Sequence, residues 1–289
     1  MSTEATPATP PGGGGDTAYG RRFLILWIVA SLIATPLVAI FLGPAIPPGN
    51  GSEQASGQVL GNTVLVSVLT PVTLFVLLFL AFSLSHFRGR GAPGDGPADR
   101  GGARIQVLWT VVTVAIVMSL AAFGAYELTK DGAGGGQGPS AAFLPPGHAQ
   151  AMDVQVIGQQ WAFTYRYPTF GGVETPHLVL PAHTLIRLHV TSLDVVHSFW
   201  AYQLGVKADA NPGVDNVVYV QLKGPLTFQL RCAELCGLWH GYMFDTGQVV
   251  QPAAFKTWIR AEQAIYRPIT EFLPAYATSY LPEPADRAG

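Results

Sequence analysis

Three long apolar stretches, at residues 23–42, 63–85 and 105–128, dominate the first half of the chain and carry almost no charge. Each is long enough at helical rise to cross the hydrocarbon core of a bilayer, so three transmembrane α-helices are predicted. Beyond residue 150 the apolar period drops to two. Val154 and Val156 alternate with Asp153 and Gln155, Ile186, Leu188 and Val190 with Arg187 and His189, and Leu226, Phe228 and Leu230 with Thr227, Gln229 and Arg231. Val218 and Val220 lie in another such run. This is the pattern of half-buried strands. The runs are broken at Pro168, Gly171, Gly172, Pro181, Pro212, Gly213, Gly224 and Pro225, which predicts an antiparallel sandwich or small barrel. From Pro252 to Tyr266 the spacing of Phe255, Trp258 and Ile259 predicts a helix that covers the sheet.

The chain is thus read as a membrane-anchored, multi-domain protein. A disordered tail (1–22) precedes the helical region (23–128), and a Gly- and Pro-rich linker (129–150) leads to an all-β domain (151–251) and a C-terminal helix and tail (252–289). Arginines set the orientation. Arg21 and Arg22 precede the first span, and Arg88, Arg90, Arg100 and Arg104 crowd the loop between the second and third, whereas residues 43–62 contain neither Lys nor Arg. By the positive-inside rule the N-terminus and second loop lie inside, and the β domain emerges on the external, periplasmic face of a bacterial plasma membrane. The first span also has features of a secretory signal, but it is long for one and lacks a clear cleavage site, so an uncleaved anchor is expected.

Composition narrows the partners. The 289 residues are 49% hydrophobic and 12% charged, and 16 Lys+Arg face 18 Asp+Glu without a basic cluster, which sets nucleic acid aside.

The chemistry is concentrated in Cys232-Ala-Glu-Leu-Cys236-Gly-Leu-Trp-His240-Gly-Tyr-Met243. Two cysteines four apart admit a disulfide, a metal site or a redox pair. The neighbours favour copper, because thiolate and thioether stabilise Cu(I) while imidazole accepts either oxidation state. Zinc would not select Met243, and calcium or magnesium would require oxygen. A disulfide explains neither the spacing to His240 and Met243 nor the upstream His197, which supplies a fourth strong ligand.

Cys-x-Glu-x-Cys-x-x-x-His-x-x-Met, with Asp194-x-x-His197 upstream, resembles the dinuclear copper A motif of cytochrome c oxidase subunit II, and the likeness extends over about the last two-thirds of the chain. The resemblance implies an all-β cupredoxin-like Greek-key domain in which Cys232 and Cys236 bridge two coppers. His197 and His240 would each bind one, Met243 would be a weak ligand and the Glu234 carbonyl would complete the set. It implies that Trp161, in Gln159-Gln160-Trp161, receives electrons from a cytochrome c, soluble or tethered, and that they pass to the haem of subunit I for the reduction of oxygen to water coupled to proton translocation. Subunit III is the other implied partner. The segment from Gly205 through Lys207, Asp209, Pro212 and Gly213 to Asn216 resembles the family loop beside a magnesium ion shared with subunit I, to which the Glu234 side chain would contribute.

Leu108-Trp109-Thr110 marks the third span as the second helix of the family hairpin. Where many relatives carry a glutamate, this chain has Gln106, which cannot ionise. The domain's charges are nearly balanced, which suggests a tethered or weakly basic donor. A copper A subunit of a nitric oxide reductase is the alternative within electron transfer. A quinol oxidase subunit would lack the ligands, and a copper carrier would not need three spans. His86, His148, His177, His183 and His189 are read as solvated.

Overall fold

The computed structural model describes residues 14–46, 49–86, 102–130 and 150–270. It separates into two compact units, one of residues 1–44 with 62–100 and the other of 45–61 with 101–289.

In the first unit, α1 (Gly14–Leu37) runs into a π turn (Val38–Leu42) just after Pro36, which has no N–H to give to the α ladder. The second helix, α2 (Glu53–His86), lies mostly in this unit. Phe23 meets Phe75 and Phe79 edge-on at 5.4 and 5.8 Å, and the Trp27 indole donates to the Pro71 carbonyl at 2.8 Å. With α3 (Ala103–Lys130) there are, among the described residues, three helices long and apolar enough to cross a membrane, and the three expected spans fall within them. The tail expected to be disordered over 1–22 is corrected: the chain is helical from Gly14, since the apolar run marks only the part of a helix that meets lipid and Ala18, Arg21 and Arg22 are good helix formers. Residues 1–13, most of the linker and the tail beyond 270 lie outside the described residues.

The second unit is built on two five-stranded sheets. The first has the order β3 (Val173–Thr175), β2 (Ala162–Tyr167), β1 (Met152–Gln159), β5 (Leu185–Ser192) and β8 (Asn216–Gln221). The second has the order β4 (Val179–Pro181), β10 (Phe244–Val250), β9 (Leu226–Cys232), β6 (His197–Ala201) and β7 (Val206–Ala210). Val154, Val156, Tyr165, Ile186, Leu188 and Val190 of one sheet join Phe199, Phe228 and Leu230 of the other in a single core. This is the expected cupredoxin-like sandwich. It is not purely antiparallel, however: β1 runs parallel to β5, and β4 parallel to β10. The final helix, α4 (Pro252–Thr270), packs as expected, with Trp258 against Tyr167 and Phe255 against Phe170 at 5.5 Å each.

A second correction concerns the strands' polar face. Gln155 and His189 alternate with the core residues as predicted, yet they are buried too, as are Thr191 and Asp215. His189, expected to be solvated, sits between two carboxylates, with Nδ1 2.8 Å from Asp215 and Nε2 3.5 Å from Asp153. Burial opposes charge on both partners. Hydrogen bonds that His189 donates to Asp153 and Asp215 nonetheless raise its pKa above 6.5, and His189 and Arg187 hold Asp153 down at about 2.

Residues 49–61, which the sequence marks only as a loop and a helix start, are packed into the same unit. The Gly51 N–H donates to the Gln203 carbonyl at 2.8 Å, the Ser52 hydroxyl to the Leu204 carbonyl at 2.6 Å, and the Gln221 N–H to Gln54 Oε1 at 2.8 Å.

Candidate metal centre

Neighbouring strands of the second sheet deliver the donor groups. His197 opens β6 and Cys232 closes β9, and Phe199 pairs with Cys232 across the two strands. The loop that follows is tied back on itself: the Cys232 N–H donates to the Met243 carbonyl at 2.9 Å, the Ala233 N–H to the Ser198 carbonyl at 2.9 Å, and the Met243 N–H to the His240 carbonyl at 3.2 Å. Cys236, His240 and Met243 are therefore turned toward the strand ends instead of trailing into solvent.

The two sulfurs lie 3.8 Å apart as free thiols. On one flank His197 Nδ1 is 3.9 Å from Cys232 Sγ, and the Glu234 carbonyl is 3.2 Å from the same sulfur. On the other flank His240 Nδ1 is 3.6 Å and Met243 Sδ 3.8 Å from Cys236 Sγ. The structure thus brings together all six expected donor groups, and the ligand atoms of His197, Cys232 and Cys236 lie within 4.8 Å of one another, all buried. Glu234 itself is exposed.

The donors fit a metal. Burial and the adjacent Cys232 thiol push Cys236 up to about 12, so Cys236 keeps its proton at neutral pH unless a cation takes its place. Two soft sulfurs, two imidazoles, a thioether and one carbonyl oxygen form a set suited to copper and poorly suited to a hard cation.

Trp161 stands beside this group, half-buried at the margin of the core. The turn between β1 and β2 places both the Gln160 side-chain amide and the Trp161 indole on the Cys236 carbonyl, at 2.8 and 3.2 Å. Two glycines make room for the arrangement. Gly237 has φ +112°, and a Cβ there would lie 2.9 Å from Gln160 Nε2. A Cβ on Gly158 would press on the His197 ring at 3.1 Å.

Asp194 lies on the loop between β5 and β6. Its carboxylate accepts from His197 Nε2 at 2.9 Å, from the Gln160 N–H at 2.7 Å and from the Val195 N–H at 2.6 Å. Partial burial works against its charge, but these donors hold its carboxyl below the usual carboxylate range.

Other predicted positions are more remote. Lys207 and Asp209 are exposed on β7, and the Asn216 side chain donates to the Asp209 carbonyl at 3.0 Å. Gln106 is exposed in the first turn of α3, and His148 lies outside the described residues. Sequence reasoning missed Gln160 and Gly237 as parts of the site. Their signal was present in the polar residue beside Trp161 and the glycine directly after Cys236. It also missed a rim of apolar side chains, in which Leu235, Leu238 and Tyr242 are 79%, 82% and 71% exposed and Trp239 about half.

A family model for the periplasmic domain of cytochrome c oxidase subunit II matches residues 173–250. Cytochrome c oxidase subunit 2 of Thermostichus vulcanus is 28% identical over 285 residues, covering 83% of this chain and 86% of the relative. That of Podospora anserina is 30% identical over 187 residues, covering 56% of this chain and 70% of the relative. Among solved structures, the periplasmic domain of subunit II of cytochrome oxidase from Bradyrhizobium japonicum is 29% identical, with 40% of this chain and 97% of that one covered and a TM-score of 0.39. With the donor cluster at the strand ends and the apolar helices ahead of the β domain, the sequence matches to these relatives and to the family model place the chain in the cytochrome c oxidase subunit 2 family.

Proposed function

We propose that this chain holds a dinuclear copper A centre on Cys232, Cys236, His197, His240, Met243 and the Glu234 carbonyl, and that electrons from a cytochrome c pass through it to the haem of subunit I. The observation that carries this reading is the convergence of six donors around two thiols 3.8 Å apart. When bound, the copper pair supplies a reversible one-electron carrier. The chain's own residues do the rest. On loading, the Cys232 and Cys236 thiols would give up their protons to hold the metal, His197 and His240 would each supply an imidazole, and the tied-back loop would limit rearrangement as charge comes and goes. Reduction of oxygen to water and the coupled proton translocation belong to subunit I.

Trp161 is the residue through which electrons arrive. Its indole reaches the Cys236 carbonyl, so a single hydrogen bond separates the ring from the backbone of a bridging ligand. The rim of Leu235, Leu238, Trp239 and Tyr242 supports a donor held more by apolar contact than by ion pairs, whether soluble or tethered. The exposed Glu234 side chain is available to a magnesium ion shared with subunit I, and subunit III completes the assembly. The arginine distribution supports a β domain on the external face of a bacterial plasma membrane.

Copper analysis and low-temperature EPR on the purified full-length chain test the reading. Two coppers sharing one unpaired spin are expected, with the shared signal gone in Cys232→Ser. A single isolated ion, or a cystine in the folded protein, would overturn it.

A further inference from the structure

We infer that Asp194 is a positioning residue for the metal centre, fixing the tautomer and direction of the His197 ring while tying the Trp161 turn to it; this rests on the copper reading above. A carboxylate can only accept, so the contact at 2.9 Å makes His197 Nε2 the protonated nitrogen. That leaves Nδ1, the nitrogen facing Cys232 Sγ, with its lone pair free for a metal.

The same carboxylate accepts the Gln160 N–H at 2.7 Å, and the Gln160 side chain and Trp161 indole both donate to the Cys236 carbonyl. A continuous hydrogen-bonded path therefore runs from His197 through Asp194 and the β1–β2 turn to Cys236. It joins two ligand-bearing segments more than thirty residues apart in sequence. His197 is fully buried, so the ring's end of this bond is shielded from water while the carboxylate is partly open. Among the described residues, no corresponding acceptor holds the outer nitrogen of His240.

Two readouts on the full-length chain test this. In the metal-free chain, nitrogen NMR of the histidine rings should find His197 as the Nε2–H tautomer with slow proton exchange. Asp194→Ala should make that exchange fast and shift the Trp161 indole N–H. In the copper-loaded chain, Asp194→Asn keeps the size of the side chain but removes its charge. It should retain two coppers while the reduced state becomes favoured about tenfold, a rise in potential of about 59 mV for one electron. A metal-free Asp194→Ala spectrum with unchanged His197 tautomer and exchange would overturn the inference whatever the copper content. An unchanged potential and EPR spectrum in a fully loaded Asp194→Asn protein would overturn it as well. Failure of the unaltered chain to bind copper would defeat the copper reading and leave the metal-free comparison to decide the role of Asp194.

Discussion

His197 opens a strand, is fully buried and has its outer nitrogen held by a carboxylate, whereas His240 lies in a one-turn helix within a loop, partly open to solvent and flanked by exposed apolar side chains. The two imidazoles face the two sulfurs at similar distance, 3.9 and 3.6 Å, so the contrast lies in what stands behind each ring. A ring locked by its own chain keeps its direction before any metal or partner arrives. One on an open loop takes its final surroundings from whatever covers that loop. One side of the donor cluster is thus braced by this chain, and the other lies open.

The largest expected effect sets the two rings against each other. His197→Ala removes a buried ring and strips a hydrogen bond from Asp194, so denaturant unfolding of the metal-free chain should register a loss of about 3 kcal/mol. His240→Ala should cost less than about 1 kcal/mol, and on the proposed copper reading both variants should lose the shared EPR signal. Equal costs would erase the distinction.

Next in size is Gly237→Ala. A side chain at φ +112° meeting Gln160 Nε2 at 2.9 Å should cost about 1–2 kcal/mol and loosen the Trp161 turn, measured as a lower melting temperature and altered Trp161 fluorescence.

The closed side also depends on β1 and β5, which run parallel and lead into the Trp161 turn and the Asp194 loop. Asp153 and His189 brace them, and the pH dependence follows from their shifts. Asp153, at about 2 when folded against 3.8 ordinarily, stabilises above 3.8, and that contribution fades as pH falls toward 2. His189, raised above 6.5, stabilises below 6.5, and its contribution is lost as pH climbs through the raised value. Melting of the metal-free chain should therefore fall on the alkaline side by on the order of 1 kcal/mol per pH unit in that window, and His189→Asn should flatten the limb.

The smallest expected effect belongs to the open rim. Leu238→Ser, 82% exposed, should change stability by less than about 0.5 kcal/mol while weakening the donor's apparent affinity in steady-state turnover. A large stability loss would show that this loop is braced like the other side.

Much of the centre was legible because its donors are local. Cys232 through Met243 span twelve positions on one tied-back loop, and His197 arrives with Asp194 three residues ahead. Strand periodicity likewise marked the core face of β1, β5 and β9. The pairing of β1 with β5 was not legible, because parallel neighbours separated by 25 residues leave no local trace of their register. Nor was the burial of His189, since an alternating pattern identifies the apolar face and says nothing about what covers the polar one. The packing of residues 49–61 was hidden for a related reason: Gly51, Ser52 and Gln54 act through hydrogen bonds to carbonyls and N–H groups that any residue could offer.

That packed segment bears on how the β domain can be handled in isolation. A shortened version starting at Gln150 would strip away the groups that satisfy the Leu204 carbonyl and the Gln221 N–H, and would remove Gly51 from against the Leu204 and Leu226 side chains. Water can replace the hydrogen bonds but not the apolar cover, so such a fragment would tend to self-associate there. Fusing residues 49–61 back through a short linker is the natural remedy.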